Sequence, residues 1–231
     1  MNKLLTSLIA VRYRLTIFAL LGGASLMSLA LYRTRNEYYE TSGFTFLTWN
    51  LFLAWVPLGI AYSAWLFSLQ RKYLYIVIPI AAFLWLIFFP NAPYIITDLQ
   101  HLADPGIVVP AWYDAMLLMW FSLTGLLLGI VSLYLMQDIV HREFGRWAGW
   151  ALVFSVSFLA GAGVYIGRFL RFNSWDLILE PAHIAEQFMQ GAQDPSLRSI
   201  GFTLSFGAFF LFVYLTIYTL GHLIQNGAHA K

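Results

Sequence analysis

The chain has 231 residues, of which 60% are hydrophobic, 18% aromatic and only 10% charged, and its mean hydropathy is +0.71. These values lie outside the range of ordinary soluble domains and are typical of a chain embedded in lipid. A net charge of +2 is too small to indicate binding to nucleic acid, and the absence of cysteine excludes disulfides and thiolate chemistry. The sequence therefore predicts a single membrane domain over residues 1–231, without a sizeable soluble domain.

Six long apolar runs predict six transmembrane helices. A helix needs roughly 20 apolar residues to cross the hydrocarbon core of a bilayer, and each run approaches or exceeds that length. The predicted spans are Leu15–Tyr32, Phe44–Leu69, Tyr73–Phe89, Trp112–Gln137, Trp147–Ile166 and Ile200–Ile224. The expected fold class is all-α, a polytopic membrane protein with short interfacial helices in the outer loops.

The first run has a competing interpretation. Lys3 precedes it, and Ser28-Leu29-Ala30 has the small-x-small pattern of a signal-peptide cleavage site. The apolar run is long for a signal peptide and further spans follow it. A first span preceded by an amphipathic segment over residues 1–14 is therefore favoured.

Basic residues are more frequent in the connections on one side of the predicted membrane. Placing the N-terminus in the cytoplasm puts most lysines and arginines there, in agreement with the positive-inside rule. These are Lys3, Arg12, Arg14, Arg71, Lys72, Arg142, Arg146 and Lys231. The connections over residues 90–111 and 168–199 then both face outward, so their polar residues are expected to lie close together.

The first outward connection begins with the segment FFPNAPYIITDLQHL, residues 88–102. Each of its two prolines disfavours a helical conformation at the residue before it, so the third span is expected to end here. Pro93 is suited to the first position of a new helix reaching Leu102, capped by Asn91 or Ala92.

In that predicted helix Tyr94, Asp98 and His101 fall on one polar stripe, because successive residues are separated by about 100°. The stripe has two interpretations. Asp98 and His101 can hold a proton, a metal or a substrate at the membrane edge, or the helix simply turns its polar side towards water. Burial of ionisable groups at a membrane edge is unfavourable and often marks a functional site.

The second outward connection begins with YIGRFLRFNSWD, residues 165–176. Arg168 and Arg171 are spaced to share one helix face, and such a pair suits a phosphate or carboxylate group, with lipid headgroups as the nearest supply. Asn173 is suited to cap a short helix, with Asp176 as its reciprocal partner. The alternative is structural, with Arg168 and Arg171 paired to Asp98, Asp176 or a lipid phosphate.

Glycine pairs and titratable residues complete the set of candidate features. Gly125 with Gly129, and Gly163 with Gly167, have the spacing that lets membrane helices approach closely. A metal site would join Asp98 and His101 to Glu180 or His183, but this spacing is not a known ligand signature. The sequence therefore assigns no metal and leaves any cofactor unknown.

The segments FFPNAPYIITDLQHL and YIGRFLRFNSWD together resemble a family of bacterial integral membrane proteins, the domain of unknown function numbered 1361. The resemblance covers most of the chain. It implies a multi-pass protein of the bacterial inner (plasma) membrane, with no assigned reaction.

Three functions fit these features, and the first is the sharpest hypothesis. It is an enzyme whose outward-facing site acts on a lipid or lipid-linked anionic substrate. In it, Asp98 and His101 exchange protons, and Asn91, Tyr94, Arg168, Arg171, Asn173 and Asp176 bind the substrate. The second function is a non-enzymatic assembly or accessory protein with a membrane-protein partner or a second copy of the chain. The third is a small-solute transporter, with Pro57, Pro79 and Asp114 marking a pathway.

Overall fold

The computed structural model describes residues 3–70, 75–103, 108–172, 174–179 and 197–229. Within these residues the regular elements are helical and there is no strand, so the predicted all-α class is confirmed. The helices are α1 (Lys3–Tyr38), α2 (Phe46–Ser68), α3 (Val77–Phe88), α4 (Asn91–Tyr94), a 3₁₀ helix (Ile95–Ala103), α5 (Ala111–Phe144), α6 (Arg146–Tyr165), a π-helical segment (Ile166–Leu170), α7 (Asp176–Leu179) and α8 (Leu197–His229).

Six segments of the described chain are long and apolar enough to cross a membrane, as the sequence predicts. The first is one continuous helix, α1, which joins the amphipathic segment to the span. Helix α5 is central, because 67% of its most apolar 18-residue stretch is buried, compared with 11% of the corresponding stretch in α1. The protein is therefore a polytopic membrane bundle organised around α5. One interfacial helix is predicted from Pro181, suited to a helix start, to Gln190, followed by Gly191, and these residues lie outside the described part of the chain.

The two ends of the bundle are defined by its antiparallel helices. At one end, called the motif end because it carries residues 88–102, α1 finishes at Tyr38, and α2 and α5 begin at Phe46 and Ala111. At the opposite end α2 finishes at Ser68 and α5 at Phe144. The polar segment over residues 88–102 belongs to the motif end.

The third crossing is interrupted inside the bundle. Helix α3 has only 12 residues, which rise about 18 Å, whereas a bilayer core is about 30 Å thick. Helix α4 and the 3₁₀ helix complete the crossing, and Ala92, Pro93 and Ile95 are buried. Irregular backbone at membrane depth is tolerated when protein surrounds it.

The predicted helix starting at Pro93 is wrong in its boundaries. The chain is already helical at Asn91, because Pro90 has φ −58° and its carbonyl accepts the Tyr94 N–H at 3.0 Å. Pro93 therefore occupies the first turn, where its missing N–H leaves no hydrogen bond unmade. Asn91 does not cap the helix, since its side-chain amide donates instead to the Phe88 carbonyl at 2.9 Å.

Helix α5 accommodates α4 through its glycine pair. An added Cβ at Gly125 would lie 2.6 Å from the Ala92 carbonyl oxygen and 2.9 Å from Cδ1 of Ile95. At Gly129 it would lie 3.3 Å from Cβ of Ala92. The close approach predicted for this pair is therefore made to the short helix that follows the proline break.

Helix α6 and the π-helical segment that continues it support the same segment from another side. A Cβ at Gly163 would lie 2.5 Å from Cγ of Pro90, and one at Gly167 would lie 3.4 Å from the Tyr94 ring. Residues 90–95 are thus held between two glycine-lined helix faces. These contacts fix the position of the 3₁₀ helix that follows.

Side-chain hydrogen bonds join the helices where lipid offers no competing water. The Trp85 indole donates to Ser132 Oγ at 2.6 Å, and the Trp55 indole donates to Ser25 Oγ at 3.0 Å. Ser122 Oγ donates to the Ile95 carbonyl at 3.2 Å. This last bond ties the start of the 3₁₀ helix to α5.

We expect Gly163→Ala to destabilise the protein, because its new methyl group meets the rigid ring of Pro90. Overpacking of this kind typically costs about 1–3 kcal/mol, which corresponds to a fall of about 2–12 °C in the thermal unfolding midpoint. The midpoint is measured in detergent micelles.

The control is Gly23→Ala in α1, where the space around the new Cβ is open to 4 Å. Its midpoint should stay unchanged or rise, since alanine favours a helix over glycine. Equal midpoints for Gly163→Ala and the control would contradict the proposed packing of residues 90–95.

Candidate functional site

The 3₁₀ helix changes which residues share a face. With three residues per turn, side chains three positions apart overlap, so Ile95, Asp98 and His101 align. The predicted stripe, which grouped Tyr94 with Asp98 and His101 by α-helical spacing, is therefore wrong for Tyr94. Ile95 and Asp98 are fully buried, so the first part of this face of the 3₁₀ helix points into the protein interior.

Asp98 forms a buried ion pair with Arg168. Arg168 Nη2 donates to Asp98 Oδ1, and Asn50 Nδ2 donates to Asp98 Oδ2 at 3.1 Å. Arg168 Nε also donates to Thr97 Oγ1 at 2.9 Å. Both carboxylate oxygens are satisfied, which is the condition for a charge to be tolerated in a protein interior. The two polar segments of the sequence do meet, through this pair.

The π-helical segment delivers Arg168 to its partner. Arg168 lies in the middle of residues 166–170, and its guanidinium Cζ is 4.7 Å from the Tyr94 ring centroid. The helix then ends at Arg171, which is exposed and left-handed, with φ 60°. The prediction that Arg168 and Arg171 share one helix face is wrong, because the segment is π-helical and stops before Arg171.

The other predicted residues have separate positions. The His101 ring lies beside the rings of Phe44 and Phe46, with centroids 5.9 Å and 4.9 Å away. Asp176 begins α7. Asn173, Glu180 and His183 lie outside the described residues.

Metal-ligating side chains are not clustered in the described part of the chain. It holds no cluster of three His, Asp or Glu side chains suited to a metal. Asp98 instead has protein partners at both oxygens.

A cavity of about 130 Å³ lies beside the ion pair. Its walls come from α2, from the segment around α4, from the end of α6 and from the chain before α7. The polar and aromatic lining residues are Trp49, Asn50, Asn91, Tyr94, Phe172 and Ser174, and the described lining carries no charged side chain. Asn91 Nδ2 donates to Ser174 Oγ at 2.7 Å across one wall. The cavity therefore offers amides and hydroxyls, with Arg168 directly behind Tyr94.

Sequence reasoning missed two cavity residues on α2. Asn50 connects the cavity to the ion pair, since it lines the cavity and donates to Asp98. Trp49, the residue before Asn50, is half exposed, and its ring centroid lies 6.3 Å from that of Trp175. An asparagine inside an apolar run was the available signal, because polar side chains in membrane spans usually have a partner.

A second buried ion pair lies at the same end of the bundle. Arg35 Nε and Nη2 donate to the two Asp114 oxygens at 2.6 Å and 3.1 Å, and both side chains are 6% exposed. Arg35 Nη1 also donates to Thr41 Oγ1 at 2.9 Å. This pair fastens the end of α1 to the start of α5, so Asp114 has a structural partner near the membrane edge.

Phe44 lies between Arg35 and His101. Its ring centroid is 4.4 Å from Arg35 Cζ and 5.9 Å from the His101 ring centroid. Phe44 adopts φ 65°, a conformation that is rare for a bulky residue and that marks local strain. The strained residue thus places its aromatic ring against both Arg35 and His101.

We expect single substitutions of the Asp98–Arg168 pair to destabilise the protein strongly. Asp98→Asn or Arg168→Gln leaves one buried charge without its counter-charge, which typically costs about 3–5 kcal/mol. The double variant should lose less unfolding free energy than the two single variants lose in sum, because neither charge remains in it. Denaturant unfolding in detergent provides this double-mutant cycle.

Arg33→Gln is the control, since Arg33 pairs with Glu37 where both side chains are largely exposed. It should leave the unfolding free energy unchanged. Additive single effects at Asp98 and Arg168 would show that the two side chains are not coupled.

Comparison with known protein families gives a match. The sequence profile described as Protein of unknown function (DUF1361) matches residues 49–213, which include Asn50, Asp98 and Arg168. No curated protein and no solved structure matches the chain. Since the matched region exceeds half of the sequence, the resemblance inferred from the two motifs is confirmed, and the chain belongs to the DUF1361 family of proteins of unknown function.

Proposed function

We propose that the protein is a membrane enzyme that binds the headgroup of a lipid or lipid-linked anionic substrate in the cavity at the motif end. The observation that carries this proposal is the shared position of Asn50, which lines the cavity and donates to the buried Asp98. A polar cavity beside a buried charge pair is a typical arrangement for a binding or catalytic site.

The cavity lining favours a headgroup rich in hydroxyl or phosphoryl oxygens. The side-chain amides of Asn50 and Asn91 and the hydroxyls of Tyr94 and Ser174 provide donors and acceptors, and Trp49 provides an apolar wall. Arg168 stacks over Tyr94, which lines the cavity. It can bind an anionic group by turning away from Asp98.

That exchange of partners would give Asp98 a chemical role. While it is paired with Arg168 and Asn50, both of its carboxylate oxygens accept hydrogen bonds. When Arg168 binds the substrate's anion, Asp98 loses its counter-charge and becomes a better proton acceptor. His101, one 3₁₀ turn further, serves as the second proton carrier, and exposed Arg171 attracts the anion.

Asn173 and Asp176 complete the proposed substrate-binding set. Asp176 begins α7, directly after the cavity residue Ser174. The outward-facing orientation in a bacterial inner membrane belongs to the same proposal. It is supported by the basic residues gathered at the opposite end, among them Arg14, Arg142 and Arg146.

A second candidate function is an assembly or accessory role without catalysis. The observation that favours it is the closed state of the Asp98–Arg168 pair, in which Asp98 has no exposed surface. Such a pair can have a purely structural role, in which it joins the π-helical segment to the 3₁₀ helix. The partner would then be another membrane protein or a second copy of this chain.

The enzyme proposal predicts that Asp98→Asn abolishes turnover while Ser174→Leu abolishes binding. Asparagine keeps the shape of Asp98 but cannot accept the proton, whereas leucine at position 174 fills the cavity with apolar atoms. The measurement compares the lipids of membranes from cells that lack the protein or produce each variant. One lipid species should accumulate without the protein and with either variant.

Ser63→Leu is the matched control, because Ser63 is exposed on α2 in a separate groove lined by apolar residues. It should restore the wild-type lipid profile at equal protein level. An Asp98→Asn protein present at the wild-type level that also restores this profile would contradict the enzyme proposal. Loss of a co-purifying membrane protein from that variant would instead support the accessory role.

A further inference from the structure

Two arginines flank one tryptophan at the opposite end of the bundle. Arg14 of α1 and Arg142 of α5 place their guanidinium Cζ atoms 4.8 Å and 5.8 Å from the ring centroid of Trp65 in α2. Cations above an aromatic face are held by the electron density of the ring. Three helices therefore bring two positive charges together at one membrane interface.

Neighbouring polar groups fix this cluster in place. The Trp65 indole donates to Asp138 Oδ2 at 2.7 Å, and Arg142 Nε lies 3.1 Å from the same carboxylate oxygen. Arg142 Nη2 donates to Ser68 Oγ at 2.9 Å. Asp138 therefore contacts both Trp65 and Arg142, and the side chains of Arg14, Arg142 and Asp138 together carry a formal charge of +1. The Arg142 side chain is 35% exposed and accessible to a ligand.

An apolar groove lies next to this cluster, between α1, α5 and α8. It has a volume of about 290 Å³ and is lined by Ile17, Ile130, Val131, Tyr134, Tyr214, Ile217, Tyr218, Gly221 and His222. Ile17 follows Arg14 by three positions, and Tyr134 precedes Asp138 by four. Residues at these spacings are neighbours on a helix surface, so the groove runs from the cationic cluster towards the middle of the membrane.

We propose that this region binds an anionic glycerophospholipid, with its phosphate at Arg14 and Arg142 and an acyl chain in the groove. Guanidinium groups bind phosphate oxygens through paired N–H donors. Basic pockets between membrane helices are known sites for anionic headgroups. Because the adjoining groove is apolar, the region binds a phosphate that carries an acyl chain more favourably than it binds a free anion. This site is separate from the cavity at the motif end and does not depend on the proposed function.

The headgroup part of the proposal is tested with Arg142→Gln. Native mass spectrometry of the purified protein would measure retention of phosphatidylglycerol relative to phosphatidylcholine with the same chains. An arginine at a membrane surface contributes about 1 kcal/mol to anionic lipid binding, which corresponds to a loss of about fivefold in that ratio. Arg33→Gln is the matched control, because Arg33 also pairs with an acid four positions away, and it should leave the ratio unchanged.

The chain-binding part is tested with Gly221→Leu in α8. The space around a Cβ at Gly221 is open to 4 Å, so leucine fits the fold and fills the groove. Gly201→Leu is the control, because it has the same open surroundings in the same helix but does not line the groove. We expect phosphatidylglycerol retention to fall severalfold for Gly221→Leu only.

Three results would overturn the proposal. They are equal retention of the two lipids by the wild-type protein, equal effects of Arg142→Gln and Arg33→Gln, and unchanged retention in Gly221→Leu. Inorganic phosphate, added as a second probe, should displace little of the bound lipid. Full displacement at millimolar phosphate would assign the cluster to a free anion instead.

Discussion

The motif end depends on the burial of one carboxylate, Asp98, in a part of the bundle that excludes water. An ionised group there must have both a counter-charge and hydrogen-bond donors, or the folded state loses several kcal/mol. Arg168 supplies the charge, Asn50 a donor to the second oxygen, and Thr97 holds the arginine in position. Three separate stretches of the chain must therefore come together at one point. The 3₁₀ and π-helical geometry in this region makes these contacts possible. The π-helical turn brings Arg168 inward, and the 3₁₀ helix turns Asp98 towards it.

The meeting point exists because the third crossing is broken and then enclosed. A short helix and a 3₁₀ helix expose more backbone polar groups than a continuous α-helix would, and lipid cannot satisfy them. Glycines on α5 and α6 let residues 90–95 lie deep between those helices, where Ser122 binds the Ile95 carbonyl. The same enclosure leaves the small polar cavity beside the ion pair. Packing and the proposed binding site thus have a common origin in the Pro90–Ile95 segment.

Much of this arrangement could be predicted from sequence, since hydropathy identifies six spans and loop order places residues 88–102 and 165–176 on one side. The glycine spacings also predict close helix contacts. The failures have physical reasons. The predicted stripe and the shared arginine face assumed 3.6 residues per turn, whereas tertiary contacts impose 3₁₀ and π geometry on those stretches. Asn50 and the Arg35–Asp114 pair were missed because their partners are 48 and 79 positions away, and no local pattern encodes such distances.

The most direct test of this account is a density map of the protein purified in nanodiscs of native lipid, examined between Asn50, Asn91, Tyr94 and Ser174. We expect a headgroup in this cavity, within hydrogen-bond distance of Asn91 or Ser174 and in reach of the Arg168 guanidinium. A cavity that holds only water beside a closed Asp98–Arg168 pair would contradict it. In that case the pair would be a structural joint between helices.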